Sequence, residues 1–81
     1  MRRPAEPSLS MTEARLVEEL ARTPGRAVAW YILADAIGDE TTEAGKHRVQ
    51  ATVSRVREKF GAESVRTDVG RGYLVAQGFP R

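Results

Sequence analysis

Apolar positions along the chain follow a helical period in three stretches and a strand-like period near the end. Leu16, Val17 and Leu20 stand opposite Glu18, Glu19 and Arg22, the spacing of a helix with one buried face. Ser10-Met11-Thr12-Glu13 has the form of a capping box, in which the serine oxygen accepts from a first-turn amide and the glutamate reaches back. Thr23-Pro24-Gly25 ends that helix, and Arg26-Ala27-Val28-Ala29 predicts a brief edge strand. Trp30, Ile32, Leu33, Ala36 and Ile37 return to helical spacing, with Gly38 where a C-terminal cap glycine belongs. Asp39-Glu40-Thr41-Thr42 is a polar turn whose threonines can cap the next helix.

The clearest pattern runs from Glu43 to Phe60, where Val49, Val53, Val56 and Phe60 form a single helical stripe. Arg48, Thr52, Arg55 and Lys59 repeat that spacing one residue earlier. The expectation is therefore an edge of three cations and a hydroxyl beside the buried stripe, with Ala51 adjacent. Gly61 ends the helix. Val65–Val69 and Tyr73–Ala76 predict two strands joined by Gly70-Arg71-Gly72, whose glycines can take positive φ. The fold class is thus α+β, mostly α: three helices and a C-terminal β-hairpin. Residues 1–8, with two prolines and no apolar period, predict a flexible lead-in; 9–77 form one domain and 78–81 a tail.

Composition narrows the chemistry. With no cysteine, one histidine and no carboxylates at ligand spacing, disulfide frameworks and zinc sites are not expected, and no cofactor is implied. No nucleophile, base and orienting group can be assembled, so an enzyme is not expected. No apolar run is long enough to span a membrane, and no signal-peptide core follows Met1-Arg2-Arg3-Pro4, which predicts a cytoplasmic protein. Charge is divided unevenly: residues 1–45 carry five basic and eight acidic side chains, a net of −3, whereas residues 46–81 carry eight and three, a net of +5. That polarity suits a protein that turns one face to a polyanion, although a solvated charged face would look the same.

The order of elements resembles the OmpR/PhoB-type winged-helix family, the DNA-binding effector domains of bacterial response regulators. Leu9-Ser10-Met11-Thr12-Glu13-Ala14-Arg15-Leu16-Val17 is similar to the family's opening, Pro24-Gly25-Arg26-Ala27-Val28 to its junction after the first helix, Val49–Phe60 to its recognition helix, and Gly70-Arg71-Gly72-Tyr73 to its wing. The resemblance covers residues 9–75. It implies sequence-preferring binding of double-stranded DNA by a small bacterial or phage transcriptional regulator, with helix 43–60 in the major groove and the wing, residues 65–76, near the backbone or minor groove.

Carried over position by position, it implies base contacts from Arg48, Ala51, Thr52 and Arg55. An arginine fork matches O6 and N7 of guanine, and small apolar groups match the thymine methyl. Lys46, Arg57 and Lys59 suit phosphate, and Trp30 and Tyr31 can reach the backbone through the indole N–H and the phenol. Arg66, Thr67 and Arg71 belong to the wing. Plainer readings stand beside these: Trp30 as a packing residue, Arg57 paired with Glu18 or Glu19, His47 as a solvated side chain, the Gly-Arg-Gly tip as a simple turn, and Tyr73 and Phe79 as a cover for the core.

The chain departs from the family in three places. Only eight residues precede Leu9, so the family's N-terminal four-stranded sheet and its receiver domain are not expected. The side of the first helix that the sheet would cover is then left apolar and open to a second copy or a partner protein. The wing has Asp68 and Val69 where the family favours an apolar residue and an arginine, which shifts the expected specificity onto the helix. The turn between the second and third helices is short and acidic (Asp39, Glu40, Glu43). The alternative function is a protein-interaction adaptor with little DNA binding; no small-molecule ligand is implied.

Overall fold

Ser10 starts the first helix as its capping box requires: its Oγ accepts the Glu13 N–H at 3.1 Å, and the Glu13 carboxylate accepts the Ser10 N–H at 3.0 Å. In a computed structural model that describes residues 8–79, the elements follow as α1 (Met11–Ala21), α2 (Trp30–Ala36), α3 (Glu43–Phe60), β1 (Arg66–Asp68) and β2 (Gly72–Leu74). The expected lead-in, apart from Ser8, and the last two residues of the expected tail lie outside the described residues.

Three helices pack around one apolar centre. Leu16, Val17 and Leu20 of α1 meet Leu33 and Ala34 of α2, Ile37 at its end, and Val49, Val53 and Val56 of α3, all buried. Val28, Val65 and Val75 close this centre from the hairpin side. Each large aliphatic buried here stabilises the fold by roughly 1.5–3 kcal/mol. Phe60 and Phe79 meet edge to face at 5.6 Å, and with Tyr73 they cover one end, as expected for Tyr73 and Phe79. The apolar side of α1 is fully used by this packing. The expectation of an open apolar face on the first helix is therefore corrected: its outward side carries Ala14, Arg15, Glu18 and Arg22, with Met11 the exposed large apolar residue.

Between α2 and α3 the chain turns tightly. Gly38 ends α2 with φ +82°, Thr42 caps α3 by accepting the Gly45 N–H at 3.3 Å, and a Cβ on Gly45 would lie only 1.7 Å from the Glu40 carbonyl oxygen. Glycine is what lets the turn lie directly on the first turn of α3. The hairpin pairs antiparallel with Arg66 opposite Leu74, Thr67 opposite Tyr73 and Asp68 opposite Gly72. The expected edge strand at 26–29 is reduced to a single bridge, in which Val28 and Tyr73 exchange N–H···O bonds of 2.7 and 3.0 Å, supplemented by Gly25 N–H to Val75 O at 2.8 Å. Those three bonds seat the hairpin on the helices. Gly72 permits the seat, since its φ is +145° and a Cβ there would stand 2.0 Å from the Val28 oxygen. Among the described residues no helix is long and apolar enough to cross a membrane.

One ion pair ties the ends of the first and third helices together. The Lys59 ammonium donates to Glu13 Oε1 at 2.6 Å and to the Ser8 carbonyl at 2.8 Å, and Glu13 is only 2% exposed. The hydrogen bond from Lys59 holds the Glu13 carboxyl below its usual range, against the opposing effect of burial; the Ser10 N–H and the charges of Lys59 and Arg55 act in the same lowering direction.

Two outcomes follow from these contacts. A depressed folded-state pKa contributes stability that is complete above the ordinary value of about 4.5 and is lost as pH falls through the lower folded value. Urea titrations across this range should therefore show an acid-side loss of stability in the wild type that is flattened in Glu13→Gln, with Glu13→Ala weaker at neutral pH by about 1.5–3 kcal/mol, the range for a hydrogen bond to a charged group, since the Lys59 left behind can be solvated. Gly72→Ala should cost about 2–3 kcal/mol in thermal unfolding, because it forces a side chain into a left-handed conformation and against the Val28 carbonyl.

Candidate nucleic-acid interface

The outward face of α3 is the surface left by its burial against α1 and α2. His47, Arg48, Gln50, Ala51, Ser54 and Arg55 are exposed along it, and the helical period sets His47, Ala51 and Ser54 on the line opposite the valine stripe. Arg48 and Arg55 flank that line on the side of α1 and α2, whereas Lys46 and Gln50 flank it on the side of the hairpin, where both line a cleft. Glu58 ends the outward line with an acid.

The residues expected to contact DNA are divided by this geometry. Arg48, Ala51 and Arg55 are accessible together. Thr52 is not: it is fully buried, and its hydroxyl donates to the Arg48 carbonyl one turn back at 2.7 Å. Its expected place on the exposed edge is corrected, because α3 packs against two helices rather than one and its buried arc widens to include the positions flanking the valine stripe. Lys59 lies on the same margin and is held by Glu13 and Ser8, so its ammonium is committed to the fold.

Arg57 takes neither a phosphate-ready pose nor the expected carboxylate. Its Nε donates to the Val65 carbonyl at 2.7 Å and its Nη2 to Thr67 Oγ1 at 2.9 Å, while Glu19 pairs with Arg22 instead. The guanidinium thus joins α3 to β1, and Thr67 spends its hydroxyl on that joint. The long-range geometry of this brace left no mark in local periodicity.

An open cleft of about 540 Å³ separates the start of α3 from the hairpin and is lined by Trp30, Tyr31, Lys46, Gln50 and the turn Thr67–Tyr73. Trp30 takes the plainer of its two expected roles, that of a packing residue. It packs on the core, yet the Lys46 ammonium sits 5.8 Å from its ring centroid and Tyr31, 53% exposed, meets it edge to face. On the far wall Arg71 is exposed and Val69 is the most exposed large apolar residue among the described residues, at 89%; Arg66 is exposed on β1 but does not line the cleft. The hairpin tip is a tight turn closed by Arg71 N–H to Asp68 O at 2.9 Å.

His47, Gln50 and Ser54 were not among the residues expected at this face. For His47 and Ser54 the signal is in the spacing, since the line opposite the valine stripe is the one that must face away from the core, whereas Gln50 flanks that line on the hairpin side. The surface as a whole sets exposed Arg48 and Arg55 on one side of the outward line of α3, and half-buried Lys46 with exposed Arg71 around the cleft on the other; Arg66 is exposed on β1 outside the cleft lining.

A family model described as transcriptional regulatory protein, C terminal, matches residues 5–75 of the 81. No curated protein matches the chain.

Removing the brace should loosen the hairpin before it loosens the helices. Arg57→Ala is expected to cost about 1–3 kcal/mol, the range for hydrogen bonds made by a charged donor. Amide exchange should accelerate most at Tyr73, whose N–H is bonded to Val28, and at Leu74, paired with Arg66, and least at Leu16 and Leu20; uniform acceleration would contradict a local role.

Proposed function

The chain belongs to the family of C-terminal domains of transcriptional regulatory proteins, the OmpR/PhoB-type winged-helix DNA-binding domains, and from that premise we propose that it reads double-stranded DNA through the outward face of α3. The observation that carries this reading is the joint exposure of Arg48, Ala51 and Arg55 on a helix whose opposite side is wholly buried. A helix so supported is a rigid reader, and its guanidinium groups match the paired acceptors of guanine in the major groove. Ser54, Gln50 and His47 fill the same face and are added to the base-facing set, from which Thr52 is removed.

Phosphate contacts fall to groups that retain free donors. Lys46, Trp30 and Tyr31 lie beside the cleft at the start of α3, where a backbone strand of DNA passing between helix and hairpin would run. Arg66 and Arg71 extend the cationic surface along the wing, with Asp68 opposing them. Val69 gives the wing tip an apolar contact rather than a charged one, so base preference resides chiefly in the helix.

Random-site selection with the purified domain should return an enriched motif, and a result with no enrichment would overturn sequence reading by α3. Arg55→Ala should weaken the selected site by roughly 1–3 kcal/mol and relax one base pair. Lys46→Ala should weaken all sequences about equally and reduce the slope of log K against log salt by about one.

A further inference from the structure

Asp39 stands in the turn between α2 and α3 with one carboxylate oxygen already committed: Oδ1 accepts the Glu40 N–H at 2.8 Å. The other oxygen, Oδ2, faces Arg48 Nε at 3.7 Å. The acid is the less exposed member of the pair, its side chain 26% exposed against 61% for the arginine. At that separation the contact is coulombic rather than a hydrogen bond. An exposed pair of this kind contributes little to stability, so its effect lies in where it holds the arginine.

The nitrogen that faces the acid decides what remains available. Nε is the inner donor of the guanidinium; among the described residues, the two terminal nitrogens of Arg48 make neither a hydrogen bond nor an ion pair. A guanidinium recognises guanine through two parallel N–H groups aimed at O6 and N7. Tethered at its inner edge, Arg48 keeps its outer fork free while losing part of the rotamer freedom that such a contact would otherwise have to freeze.

We propose that Asp39 is a positioning residue for Arg48, orienting its outer fork toward guanine at one base pair and lowering the attraction of the same surface for DNA in general. The second effect follows from placing a carboxylate beside a cation that would otherwise be available to any phosphate. This inference rests on α3 being the DNA-reading helix.

Asp39→Asn tests it with the turn preserved, because the amide oxygen still accepts the Glu40 N–H while the charge is gone. Site selection and competition binding at fixed salt would be run on the wild type, Asp39→Asn, Arg48→Ala and the double variant, with thermal unfolding to verify equal folding. Arg48→Ala should lose preference for guanine at one position. Asp39→Asn should reduce that same preference by roughly 3- to 10-fold, part of what a bidentate arginine supplies, and should bind unrelated sequence more tightly than the wild type; no tightening there would overturn the second effect. The double variant should match Arg48→Ala alone. Full preference retained in Asp39→Asn, an equal loss in the Arg48→Ala background, or an even loss across all sequences in Arg48→Ala would each overturn the proposal. If the wild type selects a motif and Asp39→Asn leaves it unchanged, only this inference fails; if the wild type selects none, the reading beneath it fails too.

Discussion

The third helix is gripped on two sides at once, by α1 along Leu16, Val17 and Leu20 and by α2 along Leu33 and Ala34. A helix packed against a single neighbour buries a narrow stripe; one wedged between two buries a broader arc. That breadth removes Thr52 from the surface, draws Lys59 toward Glu13 and leaves only the strip centred on Ala51 to face outward. Every property of the candidate interface is set by this division of the α3 circumference.

Acid–base contacts of unequal kind lie near both ends of α3. At its C-terminal end the Glu13–Lys59 pair is short, buried on the acid side and shared with the α1 cap, so it belongs to the stability of the fold. Near its N-terminal end the Asp39–Arg48 pair is long and open to water, so it adds little to stability. The same chemistry thus contributes to the fold in one place and, under the proposed reading, would orient a recognition group in the other, with burial deciding which.

The helices and the hairpin could be read from the sequence because their signals are local: the Ser10–Glu13 box, the valine stripe and the glycines around Arg71 each act within a few residues. The face of α3 was legible only in part. Spacing locates the stripe, but the width of the buried arc depends on two partners distant in sequence, and so it reveals neither that Thr52 is buried nor that the exposed Lys59 is bonded to Glu13. Arg57 was ambiguous for a related reason, since its acceptor is a backbone carbonyl in the next element, and a carbonyl carries no residue identity. Gly45 gave no sign of its role either, because nothing local tells a helical glycine pressed against a turn from one facing solvent.

The Arg57 joint bears on mechanics as well as on packing. With its guanidinium bonded to both Val65 and Thr67, and the hairpin bonded in turn to Val28, the hairpin is tied to the helices at two places. Under the proposed reading, a clamp tied in this way would act as a gauge, favouring a duplex whose successive grooves already match its opening. Stiffness of the duplex at bases the protein never touches would then become part of what is selected.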